Sequence, residues 1–139
     1  MVTISKVFEF SACHTLARPD WTPEQNQSKF GKCANPNGHG HNYKLEVTVG
    51  GSLDPETGML IDTKELQKLV DKEILSELDH KNLNLDVPWL EGKLPTTEIL
   101  VDEIYKRIEA PLKKAASNCK LSKVVLWETN KIFATKEES

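Results

Sequence analysis

The sequence lacks the features that would place it in a membrane or on a nucleic acid. No apolar run approaches the roughly 20 residues that a membrane-spanning helix needs. Lys and Arg number 18 against 21 for Asp and Glu, so no excess of positive charge is available to hold a phosphate backbone. We therefore expect neither a membrane nor a nucleic acid as a partner.

Cysteine is also scarce: Cys13, Cys33 and Cys119 are odd in number and have no framework spacing, which argues against a disulfide scaffold. The N-terminal residues contain no continuous apolar segment of the signal-peptide kind. Both absences favour a reducing compartment, and we expect a cytoplasmic protein. A chain of 139 residues, 38% hydrophobic and 28% charged, is long enough for one buried core and too short for two, so residues 1–139 are expected to form a single domain.

Two stretches alternate between apolar and polar residues with the period of a β-strand. In residues 2–14 the even positions are mostly apolar and end at His14. In residues 39–49 the odd positions are apolar after they begin with two histidines. The polar segment between them, residues 15–38, is predicted to be a long functional or disordered loop with Cys33 near its end.

Two amphipathic helices and two further strands follow. Asp62, with Glu65 after it, has the form of a capping box variant that opens the first helix, whose apolar stripe ends at Leu78. The second helix begins around residues 95–98, and we expect Pro111 to kink or end it. The last two strands are predicted at residues 121–129 and 132–136. The order is therefore two strands, two helices and two strands.

Three of the four histidines fall on the inner faces of the two N-terminal strands. If these strands pair antiparallel, the end of the first lies beside the start of the second, and His14 meets His39 and His41. Neutral imidazole nitrogens suit zinc, and three protein ligands with an open fourth position are typical of a catalytic zinc site. The alternative is three ordinary surface or core histidines, but the shared parity favours the metal.

Two further places in the chain carry candidate reactive residues. Cys33 follows Lys32 and precedes His39 by six residues, where a lysine and a cation would favour the thiolate; otherwise it is an inert loop cysteine. Asp79 beside His80 is either an oriented base or a polar turn at a helix C-terminus. We weigh these two interpretations equally, because adjacent residues seldom bond each other.

The C-terminal half contributes one carboxylate on an inner strand face. Glu128 shares parity with the apolar residues of its strand, and burying it without a partner would be costly. A ligand with neighbouring N–H donors, such as a 2-amino-4-oxo pyrimidine ring, could be that partner; the alternative is a strand-end residue that reaches water. Thr96 and Thr97 are most simply helix caps, and Glu98 is a first-turn acid.

Six segments, in order along nearly the whole chain, resemble the 6-pyruvoyl-tetrahydropterin synthase family: residues 10–14, 30–43, 54–59, 78–83, 96–98 and 127–129. The resemblance implies an α+β fold called the tunnelling fold, or T-fold. It is a ββααββ unit with a four-stranded antiparallel sheet and two antiparallel helices. Three units close a barrel, and two trimers stack as a homohexamer with active sites at subunit interfaces.

The resemblance also implies a role for each candidate residue. The metal ligands would be His14, His39 and His41, which would hold one Zn²⁺ per subunit. Cys33 would be the general base, and Asp79 with His80 would complete a proton relay for the Cys33 of a neighbouring subunit. Glu128 would anchor the pterin ring, whose pocket would be lined by Thr96, Thr97 and Glu98. The implied reaction is that of a carbon–oxygen lyase in tetrahydrobiopterin biosynthesis. It eliminates inorganic triphosphate from 7,8-dihydroneopterin triphosphate and gives 6-pyruvoyl-tetrahydropterin. Mg²⁺ is a further family requirement, and the sequence indicates no site for it.

Two alternatives stay open. The 6-carboxy-tetrahydropterin synthase of queuosine biosynthesis shares the fold, substrate, zinc histidines and Asp-His pair, but its cysteine usually stands closer to the His-Gly-His motif. The other alternative is a noncatalytic zinc-binding or pterin-binding module. The chain departs from the family at Cys13, where serine is usual and where strand parity points the side chain away from that of His14, and in a longer segment around residues 115–120. Cys119, in that segment, is expected in a polar turn and is assigned no role.

Overall fold

A twisted sheet with helices on one face makes up residues 1–138, the part of the chain that the computed structural model describes. Its strands are β1 (Val2–His14), β2 (His39–Gly51), β3 (Lys81–Asn82), β4 (Cys119–Trp127) and β5 (Phe133–Glu137). They lie in the order β3-β1-β2-β4-β5. The four long strands are antiparallel, and β3 adds a parallel pair of residues beside β1. The α+β class is confirmed, while the predicted four-stranded sheet has a short fifth strand.

The β1–β2 pair sets the position of the site. Its register runs without a break from Val2 opposite Gly51 to His14 opposite His39. The even residues of β1 and the odd residues of β2 therefore share the face that packs on the helices, where Phe8 and Leu45 are buried. The predicted pairing of the end of β1 with the start of β2 is confirmed.

The helices lie between and after these strands. They are α1 (Pro23–Phe30), α2 (Thr63–Val70), α3 (Ser76–Leu78) and α4 (Thr97–Ala115), with a π turn at Asp71–Leu75 and 3₁₀ turns at Gly31–Ala34 and Pro88–Leu90. Helix α4 packs on β4 and β5, and α2 packs on α4. None of the helices in residues 1–138 has both the length and the apolar character needed to cross a bilayer.

The first predicted helix is continuous through its π turn, from α2 to the end of α3. Asp62 caps it, because its Oδ1 accepts a hydrogen bond from the backbone N–H of Lys64 at 2.9 Å. Glu65 pairs instead with Lys68 at 3.5 Å. The Asp62 side chain therefore caps the helix, but Glu65 does not make the return hydrogen bond of a full capping box. The apolar stripe is buried as predicted, down to Leu78.

The long loop between β1 and β2 was predicted without a helix, and this is wrong. Helix α1 begins after Thr22, whose hydroxyl accepts a hydrogen bond from the backbone N–H of Gln25 at 3.1 Å. The Gln25 side-chain oxygen accepts in return from the Thr22 N–H at 2.8 Å, which completes a capping box with Pro23 in the first turn. Polar composition hid a helix whose start signal was present.

Two expectations about the C-terminal half are also corrected. Pro111 lies inside α4 and does not end it, because the helix continues to Ala115. The fully buried Leu112 in the same turn holds the helix against the sheet, and this packing outweighs the hydrogen bond that proline removes. Cys119 is not in a polar turn: it is the first residue of β4, is buried, and its thiol lies 2.7 Å from the carbonyl oxygen of Leu60.

Candidate metal centre and active site

Three imidazoles meet where the β1–β2 pair ends. His14 stands directly opposite His39, and His41 is two residues further along β2 on the same face. One ring nitrogen from each histidine lies within 4.8 Å of the other two. The Nε2 atoms of His14 and His39 are 3.0 Å apart. The predicted convergence of the three histidines is therefore present.

His14 is the most tightly held of the three. Its side chain is 1% exposed, and its Nδ1 lies 2.8 Å from the carbonyl oxygen of Pro95, just before α4. A carbonyl can only accept, so Nδ1 carries the proton and Nε2 presents its lone pair to the cluster. A hydrogen bond of this kind, from the ring nitrogen that does not face the ion, fixes the orientation of a metal-binding histidine.

His41 carries an unsatisfied nitrogen at the centre of the cluster. Its Nε2 is buried and has no hydrogen-bond partner among the described residues. The Glu128 Oε1 atom lies 3.3 Å away, close enough for attraction but outside hydrogen-bond geometry. Burial lowers the pKa of His41, an effect that Glu128 opposes, and burial likewise lowers the pKa of His14. Both rings are therefore neutral near pH 7, which is the form that binds metals.

The donor set fits a zinc ion. Two nitrogens that each bind a tetrahedral ion at about 2.0–2.1 Å lie about 3.3 Å apart, close to the 3.0 Å between His14 Nε2 and His39 Nε2. Three imidazole nitrogens suit zinc better than hard cations such as Mg²⁺, which prefer oxygen ligands. A metal ion would also give the unsatisfied His41 nitrogen a partner.

The start of α4 holds the carboxylate beside the histidines. Glu128 follows β4, with its side chain 19% exposed, and its Oε2 accepts a hydrogen bond from the buried Thr97 hydroxyl. Thr96 is the cap of α4, because its hydroxyl accepts from the Ile99 N–H at 3.2 Å. Glu98 is exposed in the first turn. The structure thus brings Thr97 and Glu128 to the histidines, while Thr96 serves the helix.

Cys33 lies on the 3₁₀ turn at Gly31–Ala34, with its side chain partly exposed. This turn is tied to the end of β1, because the Cys33 carbonyl accepts a hydrogen bond from the Leu16 N–H at 2.8 Å. Gly38 closes the segment at φ 76°, and a Cβ there would lie 3.2 Å from the His14 carbonyl oxygen. The thiol is therefore carried close to the end of β1 but is not part of the metal-ligand cluster.

Asp79 and His80 lie at the outer edge of β1, where both contact the backbone of Ser11. Asp79 Oδ1 accepts hydrogen bonds from the Ser11 N–H at 2.9 Å and stands 3.0 Å from His80 Nδ1. The backbone hydrogen bond from Ser11 lowers the pKa of Asp79. His80 has φ 62°, a left-handed conformation that costs energy and turns its ring back onto Asp79. The expectation that neighbouring side chains seldom hydrogen-bond each other is wrong for Asp79 and His80, because the left-handed conformation of His80 brings its ring to the carboxylate.

A cavity of about 510 Å³ opens on the outer face of the sheet beside that pair. It is lined by the partly exposed Cys13, by His80 and by Asn42 among others, and not by Cys33. Cys13 and His14 are consecutive on β1 and face opposite sides of the sheet, as predicted from parity. Within one chain, His80 therefore borders a cavity that His41 also lines and that Cys33 does not.

Sequence reasoning missed two groups at the site. The Pro95 carbonyl holds His14 through its backbone, which no side-chain pattern reveals. Tyr43 follows His41 on the same face of β2, and its ring centroid lies 5.6 Å from that of His41. Burial, with the charge of Glu128, raises the pKa of Tyr43, so the phenol keeps its proton. The sequence did indicate the position of Tyr43, because it is the next odd-numbered residue after His39 and His41 in the predicted strand.

A sheet-and-helix fold that gathers three imidazoles and a carboxylate at one end defines a candidate metal-binding site. A family model described as 6-pyruvoyl tetrahydropterin synthase matches residues 3–139. The chain is 43% identical to the 6-pyruvoyl tetrahydrobiopterin synthase of Pongo abelii and 42% identical to that of Homo sapiens, each over 136 residues that cover 97% of this chain and 91% of the relative.

Solved structures agree with the sequence relatives. The 6-pyruvoyl tetrahydropterin synthase of Caenorhabditis elegans superposes with a TM-score of 0.87 at 35% identity, over 99% of this chain and 96% of that one. The chain therefore belongs to the 6-pyruvoyl tetrahydropterin synthase family, and the T-fold expected from the sequence is confirmed.

Proposed function

We propose that the protein is a zinc-dependent enzyme that converts 7,8-dihydroneopterin triphosphate to 6-pyruvoyl-tetrahydropterin with release of inorganic triphosphate. The observation that carries this proposal is the unsatisfied His41 nitrogen, which lies between two further imidazoles and the Glu128 carboxylate. A metal ion beside a fixed acceptor for ring N–H groups is what a pterin substrate requires. The similarity to named synthases over nearly the whole chain supports the choice of substrate.

Each residue has a defined task in this proposal. Glu128 accepts hydrogen bonds from the N–H groups of the pterin ring, while Thr97 fixes its other oxygen. Thr96 and Glu98 border that pocket at the start of α4. When bound at His14, His39 and His41, zinc supplies a Lewis acid that acidifies the C–H bonds of the substrate side chain.

The proton transfers fall to groups outside the metal cluster. Cys33, as thiolate, takes a proton from the acidified carbon. Asp79 accepts the Nδ1–H of His80 and so leaves the His80 Nε2 atom to exchange protons with the thiol. Because His80 lines a cavity that Cys33 does not line, the relay serves the Cys33 of a neighbouring copy in our proposal. Mg²⁺ would accompany the triphosphate.

We further propose that three copies pair edge to edge and that two trimers stack. Strand β3 covers β1 on its outer side only at Ala12 and Cys13, and β5 ends the sheet on the other side. Within residues 1–138, the rest of both outer edges has no partner strand. Such edges present rows of N–H and C=O groups that another chain can pair with. Pairing at β1 brings Asp79 and His80 to a subunit interface.

The test is a triphosphate-release assay on the zinc-loaded protein. With 7,8-dihydroneopterin triphosphate, the wild type should release triphosphate, and a sepiapterin-type reductase should consume the product. Cys33→Ala should lose the release step by about 100-fold or more, since a general base is removed, with zinc content and assembly unchanged. Consumption by the reductase separates this product from that of a 6-carboxy-tetrahydropterin synthase.

Cys13→Ser is the matched control, because it removes a partly exposed thiol on the other face of the sheet. It should keep the wild-type rate. Wild-type activity in Cys33→Ala would refute the assignment of the base. A zinc-loaded wild type that binds pterins without releasing triphosphate would instead be a noncatalytic binding module.

A further inference from the structure

Two of the buried polar atoms that lack a hydrogen-bond partner lie together beside the metal centre. Residues 1–138 contain three such atoms: His41 Nε2, the Tyr43 hydroxyl and Trp89 Nε1. The two beside the metal centre belong to His41 and Tyr43. Buried polar groups are nearly always paired, because leaving one unpaired destabilises the fold. A metal ion accounts for the His41 nitrogen but not for a hydroxyl donor. The Tyr43 hydroxyl therefore needs a separate explanation.

The ring of Tyr43 is fixed by its packing. The side chain is 1% exposed, and its ring stacks on Phe10 with centroids 4.9 Å apart and planes 11° from parallel. The rings of His41 and His14 meet it edge-on at 5.6 and 6.5 Å. The hydroxyl cannot turn out to water without breaking these contacts, so its partner must come to it.

Strand register makes Glu128 a candidate acceptor for this hydroxyl. The β2–β4 register ends with Lys44 opposite Trp127, and one further step sets Tyr43 against Glu128 on the face that packs on the helices. The Glu128 Oε1 atom also lies 3.3 Å from His41 Nε2.

We propose that Tyr43 is a positioning residue for Glu128: its hydroxyl donates a hydrogen bond to this carboxylate when metal and pterin are bound. A His41 Nε2 atom that binds a metal ion has no proton to donate to the carboxylate, so another residue must supply the donor that holds Glu128 Oε1. Thr97 already serves Oε2, which leaves Oε1 for the hydroxyl. The bond would fix the carboxylate in the plane that two ring N–H groups require. This inference rests on the pterin site proposed above.

The first test is the thermal stability of the chelator-treated protein, with Tyr105 as the matched residue. Both hydroxyls are buried, but that of Tyr105 donates to the Leu121 carbonyl at 3.1 Å. Tyr105→Phe should therefore lower the melting temperature by a few degrees. Tyr43→Phe should leave it unchanged or raise it, because it removes a buried donor without a partner. A fall equal to that of Tyr105→Phe would overturn the proposal.

The second test is equilibrium binding of oxidised biopterin, an unreactive pterin, to the zinc-loaded protein. Tyr43→Phe should weaken binding about tenfold, and Tyr105→Phe should bind like the wild type. If the wild type binds biopterin and Tyr43→Phe binds it equally well, the positioning role is wrong while the proposed function stands. If the wild type neither binds biopterin nor releases triphosphate, the proposed function itself fails, and this inference with it.

A double-mutant cycle tests whether Tyr43 acts through Glu128. Glu128→Gln should weaken biopterin binding by itself, and adding Tyr43→Phe to it should then cost less than twofold. A full tenfold loss in that background would mean that Tyr43 contacts the ligand directly, which contradicts the positioning role. In steady state, Tyr43→Phe should raise KM more than it lowers kcat, since it acts on ring binding.

Discussion

At the residue scale, the three histidines of the centre are not equivalent. His14 is buried and bonded to the Pro95 carbonyl, so it belongs to the core as much as to the site. His39 and His41 are partly exposed at the start of β2, where a ligand can approach. A buried ligand with a fixed tautomer lowers the cost of arranging the other two around an ion, because its geometry exists before the metal arrives.

Replacing these residues should separate metal binding from folding. His39→Ala or His41→Ala should abolish stoichiometric zinc and triphosphate release together, with the melting temperature of the metal-free protein little changed. His14→Ala should do the same and also destabilise the metal-free fold by about 2 kcal/mol or more, because it leaves the Pro95 carbonyl unpaired beside a cavity. Elemental analysis and thermal unfolding measure both effects. A zinc-replete His39→Ala or His41→Ala protein would contradict the centre described here.

At the element scale, the first turn of α4 divides two tasks between neighbouring threonines. The Thr96 hydroxyl caps the helix by accepting from the Ile99 N–H. Thr97 points the other way, is buried, and donates to Glu128. The helix start thus couples the position of the carboxylate to the position of α4 on the sheet.

This division predicts different losses for two similar changes. Thr96→Ala should lower the free energy of unfolding by about 1 kcal/mol, the usual cost of a lost cap. Thr97→Val keeps the shape of the side chain but removes the donor to Glu128 Oε2, so kcat/KM should fall about tenfold with a smaller loss of stability. Urea denaturation and the triphosphate-release assay measure the pair. Equal kinetic losses in Thr97→Val and Thr96→Ala would refute the division.

The same elements show what could be predicted from the sequence. Strand parity alone was enough to bring His14 to His39 and His41, because side-chain direction in a strand follows position. It could not reveal the Pro95 carbonyl, since every residue carries one. The left-handed turn at His80 escaped for a related reason: a non-glycine residue adopts it only where its surroundings compensate the strain. Helix α1 was predictable from Thr22 and Gln25, and was missed.

At the scale of the whole molecule, the free edge of β1 decides how copies can assemble. Ser11 and Cys13 direct their carbonyls outward, where they accept from the N–H groups of His80 at 2.6 Å and Leu83 at 2.8 Å. Backbone groups alternate along a strand, and β1 has no bulge, so the odd residues from Thr3 to Glu9 also point outward. In residues 1–138 no strand pairs with them there, and an assembled barrel would use this row.

Val7→Pro tests that use without touching the β1–β2 ladder. Its N–H is one of the outward groups, and its side chain is 50% exposed, so proline removes a donor only from the free edge. Light scattering should give a hexamer for the wild type and for Val7→Thr, which keeps the N–H. Val7→Pro should give a smaller species with the same circular dichroism and little triphosphate release, because Asp79 and His80 no longer meet a neighbouring Cys33. A hexameric and active Val7→Pro protein would show that the free edge of β1 does not form the subunit interface. A monomeric and active wild type would show that Asp79, His80 and Cys33 act within one chain.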